Sequence, residues 1–188
     1  MTAISTEHSS SINALEFAAW AVGEINSNIK RAQLAEFVVG KALGCLERYH
    51  EEWNAFDLEY RKQRIEVKSS GYGTPPFYPT KLPPKPKFDI KARRWAWSNK
   101  NQEFLGKGEP TRFSDVYVFA ATIGTTRETF HPFDTLGWEF YVASTEQLDK
   151  LFPNQKTVSA SALESIFGKT NFVTLRAVVD KAIGETNE

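Results

Sequence analysis

Two neighbouring segments constrain this chain more than anything else in it. Phe56-Asp57-Leu58-Glu59-Tyr60 and Arg64-Ile65-Glu66-Val67-Lys68-Ser69 both alternate apolar with polar residues, and only Arg61, Lys62 and Gln63 separate them. Alternation with a period of two is the pattern of a half-buried strand. So short a polar connector turns the second strand back along the first, and the pair predicts an antiparallel hairpin even though no glycine eases the turn. Glu66 and Lys68 then share one face, Asp57 comes beside Glu66, and Ile65 and Val67 point the other way toward a covering helix. Two carboxylates and an ammonium converge. Paired oxygen ligands of this kind suit a hard divalent cation such as magnesium, which keeps several waters and takes one or two protein carboxylates.

The flanking sequence supplies the rest of a fold. Gln33 to Leu43 has helical spacing, with Leu34, Phe37, Val38 and Ala42 on one stripe, Glu36 at its edge and Gly44 as the stop. Before it, Leu15, Ala18, Ala19, Val22 and Ile25 recur at three- and four-residue steps, which predicts an amphipathic helix over Ile12 to Ile29, interrupted at Asn26-Ser27-Asn28. Residues 1–11 read as a frayed, flexible tail, and residues 12–188 as a single domain large enough to bury a core. After the hairpin the proline-rich stretch Gly71 to Pro86 excludes a helix or a central strand. Lys87 to Ile90 predicts a short strand. Asp115 to Thr122 is nearly continuous in apolar residues, as a strand buried on both faces would be. Trp138 to Ala143 predicts another strand, Ser144 to Leu148 a helix start, and Ser159 to Phe167 and Thr174 to Ile183 helical pieces. That order implies an α/β protein with a mixed sheet covered by helices.

Asp57, then Glu66-Val67-Lys68 on the next strand, with Glu36 on a preceding helix and Ser69-Ser70 after the lysine, resembles the active-site pattern of the PD-(D/E)XK nuclease superfamily. The resemblance spans about residues 20 to 145. Phe56 stands where the family's name has proline, a position at which the superfamily is variable. The resemblance implies a restriction-endonuclease-like core, a mixed central β-sheet flanked by helices in αβββαβ-type order. It also implies a metal-dependent endonuclease that hydrolyses DNA phosphodiesters. In that reading Asp57, Glu66 and the main-chain carbonyl of Val67 hold Mg²⁺ (or Mn²⁺), Lys68 faces the attacking water, and Glu36 holds a water of a second metal. Lys68 can orient that water, take its proton or steady the transition-state charge, and these roles stay open. One site cuts one strand, so double-strand cleavage calls for a homodimer or two encounters. RNA is the other substrate compatible with the chemistry.

Other readings stand beside this one. The Asp57, Glu66 and Lys68 group also fits a surface ion-pair set on a hairpin, worth at most about 1 kcal/mol. Glu36 also fits a solvated helix-edge acid. Glu59 ranks behind Asp57 and Glu66 for metal contact, and Asp89 behind all of them. Between Lys81 and Lys100 lie seven cations, Lys81, Lys85, Lys87, Lys91, Arg93, Arg94 and Lys100, against the single acid Asp89, with Trp95 and Trp97 among them. Interleaved cations and aromatics suit phosphates and exposed bases, so Lys87, Lys91, Arg93 and Arg94, with Ser69 and Ser70, are the candidate nucleic-acid contacts. A solvated basic loop with its tryptophans in the core is the plain alternative. A non-catalytic nucleic-acid-binding or scaffold protein of the same fold is the rival function.

Charge is balanced, 23 basic against 23 acidic residues, so attraction for a polyanion has to come from local clustering. The one cysteine, Cys45, rules out an intrachain disulfide and argues against a thiolate zinc site. His8, His50 and His131 are too scattered to read as a metal cluster. No signal pattern or membrane-length apolar run is visible, which predicts a cytoplasmic protein with no membrane contact.

Overall fold

The computed structural model describes residues 13–23, 25, 27–46, 50, 52–73 and 85–184. The expected tail over residues 1–11 lies outside these, as do residues 74–84 of the proline-rich stretch, Lys81 included.

The expected hairpin forms the edge of the main sheet. β1 (Leu58–Tyr60) pairs antiparallel with β2 (Gln63–Gly71), Tyr60 opposite Gln63 and Leu58 opposite Ile65. The connection is one residue tighter than the sequence implies, because Gln63 joins the ladder. Arg61 and Lys62 alone make the turn, both at positive φ (49° and 64°), as a two-residue turn of this hand requires. Arg61 is held over the Tyr60 ring, 5.3 Å from its centroid, and 3.4 Å from Asp180. This register decides the chemistry: Asp57, whose amide donates to the Ile65 carbonyl at 3.0 Å, falls opposite Glu66. A slip of one residue would turn it to the wrong face.

The four-stranded sheet has the order β1-β2-β6-β7, where β6 is Val116–Thr122 and β7 is Trp138–Ser144. β2 and β6 run parallel, and β6 and β7 antiparallel. β6 is buried along its whole length, as its unbroken apolar sequence predicts. The protein is thus α/β with a mixed central sheet flanked by helices. The element order is richer than a plain αβββαβ succession. Two helices precede the hairpin, and among the described residues the crossover from β2 to β6 carries no helix but β3 (Lys87–Asp89), β4 (Ala96–Ser98) and β5 (Glu103–Leu105).

Each face of the sheet has its own core. Ile65, Val67, Val118, Phe140 and Val142 pack against helices α2 (Asn28–Leu43) and α5 (Leu175–Ala182), through Leu34, Val38, Val39, Leu43, Leu175 and Val179. On the opposite face Tyr117, Phe119, Tyr141 and Ala143 meet Phe88, Ile90, Leu148, Val158 and Leu163. Those come from β3 and its neighbourhood, from α3 (Thr145–Leu151), β8 (Thr157–Ser159) and α4 (Ala160–Phe167). β8, which the sequence does not suggest, closes β3 into an antiparallel ribbon.

Two helix expectations need correction. α2 starts at Asn28, capped by the Ser27 hydroxyl, so Ile29 belongs to it and not to the first helix; Gly44 ends it at φ 72°. Its buried apolar side chains are Leu34, Ala35, Val38, Val39 and Leu43, while Phe37 is exposed, because the sheet meets the helix about one residue round from the expected stripe. α1 (Ala14–Val22) forms where helical spacing predicts it but buries no residue, so its apolar stripe does not reach the core.

Candidate nuclease-like active site

The candidate residues assemble at the β1 edge of the sheet. Strand alternation aims Glu66 and Lys68 away from α2, and hairpin register sets Asp57 across from Glu66. Asp57 Oδ2 accepts from the Val67 amide at 2.6 Å, which locks the carboxylate against β2. Glu66 is 5% exposed. Its Oε1 takes the Lys68 ammonium and lies 3.5 Å from the Arg93 guanidinium, and its Oε2 accepts from the Ser114 hydroxyl at 3.1 Å. Such a buried carboxylate is tolerated because every side of it has a donor. Lys68 is thus tied to Glu66 by an ion pair within the strand.

Glu36 sits on the half-buried edge of α2, where its Oε2 meets His50 Nε2 at 2.7 Å. Burial pushes its pKa up, with a further upward push from Glu66, against the downward pull of His50 and Lys68. Asp57 responds more strongly. Burial first, then the negative charges of Glu66 and Glu36, raise it to about 7, despite the Val67 amide and Lys68. The mutual effect places Glu36, Asp57 and Glu66 within one another's field. Among the described residues no three of the His, Cys, Asp and Glu side chains close around a common point as a ready metal cage. The donor set fits a hard divalent ion nonetheless. Two carboxylates across a hairpin, one of them raised to about 7 by burial and then by the negative charges beside it, form a pair whose ionised form a cation would favour.

A cavity of about 690 Å³ opens on Glu36 and Asp57. Phe37, Leu46, Phe56 and Leu58 give it apolar walls, and His50, Asn54, Glu59, Asn99 and Lys100 add polar groups. Glu59 itself is exposed on β1.

The predicted nucleic-acid contacts scatter. Ser70 follows Lys68 on the site's face while Ser69 faces α2, and both are half-buried on β2. Lys87 is exposed on β3 opposite Ser159, and Lys91 is exposed beside Asp89, whose carboxylate accepts the Lys91 amide at 2.8 Å. Asp89 itself is exposed at the end of β3. Arg94 donates to the Gly108 carbonyl at 2.5 Å. Arg93 alone of these four cations reaches the acids. The tryptophans of the segment are not in the core: Trp95 is 55% exposed and Trp97 half-buried.

Sequence reasoning missed three participants. His50, 14 residues from Glu36, was dismissed by the spacing of the histidines; Ser114, 48 residues from Glu66, and the inward role of Arg93 leave no local pattern.

No protein-family model matches the chain, and no curated protein matches it. Among solved structures it is similar to a bacterial homing endonuclease, at 16% identity and a TM-score of 0.38, over 71% of this chain and 77% of that one. At that level of similarity the site's own geometry has to carry the functional reading.

Proposed function

We propose that this protein is a metal-dependent endonuclease of the PD-(D/E)XK type that hydrolyses DNA phosphodiester bonds. The observation that carries the reading is the cross-strand placement of Asp57 and Glu66 at the sheet edge, with Lys68 on Glu66 and a third acid, Glu36, within reach of their field. Asp57, Glu66 and the Val67 carbonyl would hold Mg²⁺ or Mn²⁺, which when bound polarises a phosphodiester and lowers the pKa of a water. The chain's own residues divide the remaining work. The Val67 amide fixes the Asp57 carboxylate, and Ser114 and Arg93 fix Glu66. Lys68, if a bound cation displaced it from Glu66, would turn toward the scissile phosphate, where its ammonium would steady developing charge or, after losing its proton, its neutral amine would accept one. His50 holds Glu36 on the cavity side.

The rival, a non-catalytic nucleic-acid-binding protein, draws on one observation: Glu66 already has two cations, Lys68 and Arg93. Asp57 and Glu36 add two further carboxylates beside Glu66, and Asp57 is raised to about 7, which favours the nuclease. Calorimetry with Mg²⁺ and Mn²⁺ decides. Wild type should bind the ion, and Asp57→Asn or Glu66→Gln should lose most of that binding together with nicking of plasmid DNA. Unchanged metal binding in both variants would sink the assignment.

A further inference from the structure

β4 and β5 form a small antiparallel ribbon outside the main sheet, Trp97 opposite Phe104, Ala96 opposite Leu105 and Ser98 opposite Glu103. Ala96 and Ser98 are buried, so one face of the ribbon sits on the protein. The other face presents the aromatic pair, ring centroids 5.1 Å apart at 74°. Such a cross-strand pair holds a ribbon together, yet Phe104 stays 69% exposed, far more than that job needs. Trp95, beside it in sequence, is also exposed and lies over Gly108. The sequence that carries these rings, from Lys91 to Lys107, holds five cations, Lys91, Arg93, Arg94, Lys100 and Lys107, against the single acid Glu103.

The tip of the ribbon also borders the cavity that holds Glu36 and Asp57. The side chain of Asn99, at its tip, donates to the Glu52 carbonyl at 3.1 Å, and its amide meets the Asn54 side chain at 3.4 Å. Asn99 and Lys100 line the same cavity as Glu36 and Asp57. A chain lying on the ribbon would therefore run on toward the carboxylates.

We propose that the β4–β5 ribbon, with Trp95, is a stacking platform for the unpaired bases of single-stranded DNA next to the acidic site. The proposal rests on the nuclease reading for the identity of the polymer and narrows its substrate to DNA with a single-stranded stretch. Exposed rings offer π faces that paired bases inside a duplex cannot reach, and the cations match the backbone that carries those bases. A ribbon that entered a duplex groove would need polar side chains aimed at base edges, whereas this one leads with Phe104 and Trp95.

The test is binding without divalent metal, measured by fluorescence anisotropy on a labelled single strand, the matching blunt duplex and a duplex with a single-stranded tail. Wild type should prefer the single strand and the tailed duplex. Phe104→Leu, which leaves Trp97 an apolar partner but no second ring, and Trp95→Ala, which lies outside the ribbon pair, should each weaken single-strand binding about tenfold while changing blunt-duplex binding less than twofold. Melting curves show whether each variant is folded, and if Phe104→Leu is not, Trp95→Ala decides. Unchanged single-strand affinity, equal losses on both DNAs, or a wild-type preference for the blunt duplex would overturn the platform. Nicking with Mg²⁺ is scored separately. Aromatic-dependent single-strand binding without cleavage would leave the platform standing and defeat the nuclease; cleavage with no aromatic dependence would do the reverse.

Discussion

Glu66 and Glu139 stand on the same face of the same sheet and are almost equally buried, at 5% and 8% exposure. Glu66 lies in the row of Tyr117 and Ala143, and Glu139 in the row of Ala121 and Ser70, so the two sit about 13 Å apart along the strands and about 10 Å across them. Each has a lysine and a hydroxyl. Glu139 accepts from the Tyr141 hydroxyl at 2.6 Å and meets the Lys169 ammonium at 3.4 Å, and Lys169 also reaches Glu164 at 3.5 Å. Burial and the neighbouring Glu139 push the pKa of Tyr141 far up, so its hydroxyl remains a donor. Nothing in that group strains toward a ligand. Around Glu66 the balance differs, because Asp57 and Glu36 add two more carboxylates and Asp57 is driven to about 7. A second carboxylate buried beside the first, with Glu36 close enough to add its charge, and not ion pairing as such, separates the candidate cation site from the structural network.

The largest effect should separate the two glutamates in cleavage. Glu66→Gln should abolish nicking of plasmid DNA in Mg²⁺, whereas Glu139→Gln should nick within about twofold of wild type, as changes remote from the chemistry do. Equal losses would erase the distinction. The two lysines should split in the same way. Lys68→Ala should slow cleavage by about 10²- to 10⁴-fold, the range for a group that moves or stabilises a proton in the transition state, with metal and DNA binding kept. Lys169→Ala should leave the rate alone.

Stability in the absence of metal sharpens the comparison further. Free aspartate titrates near 3.8, but folded Asp57 near 7, so between these values the folded protein holds a proton that the unfolded chain has lost. Metal-free stability should therefore fall as pH rises from about 4 through about 7, by up to a few kcal/mol. Thermal melts of Asp57→Asn should lose this slope, and melts of Glu139→Gln should keep it. The smallest effect belongs to the structural group alone. Glu139→Ala should cost about 1–3 kcal/mol in denaturant unfolding, because the Tyr141 hydroxyl loses its acceptor in a buried setting.

Much of the site was legible because it is local. Asp57, Glu66 and Lys68 span 12 residues of one hairpin, and strand alternation with a short connector sets them on a common face. The helix bearing Glu36 was legible through its spacing and Gly44, but its buried stripe was misplaced at Phe37, since the sheet and not the helix decides which side is covered. The basic segment was legible as charge and aromatics. Its folding into β4 and β5 was not, because three-residue strands carry too little alternation to be seen.

The sequence by itself determined the hairpin, the central buried strand, the preceding helix and the acids and lysine they carry, because periodicity and short connections act between near neighbours. Only the tertiary structure decided the exact register that brings Asp57 opposite Glu66, with Arg61 and Lys62 both left-handed in the turn. It also decided that His50 holds Glu36, that Ser114 and Arg93 converge on Glu66, and that β8 completes a ribbon with β3. These contacts join residues 14 to 72 positions apart. They exist because two cores close on opposite faces of one sheet, and no local pattern encodes which distant polar group will be left facing a buried carboxylate.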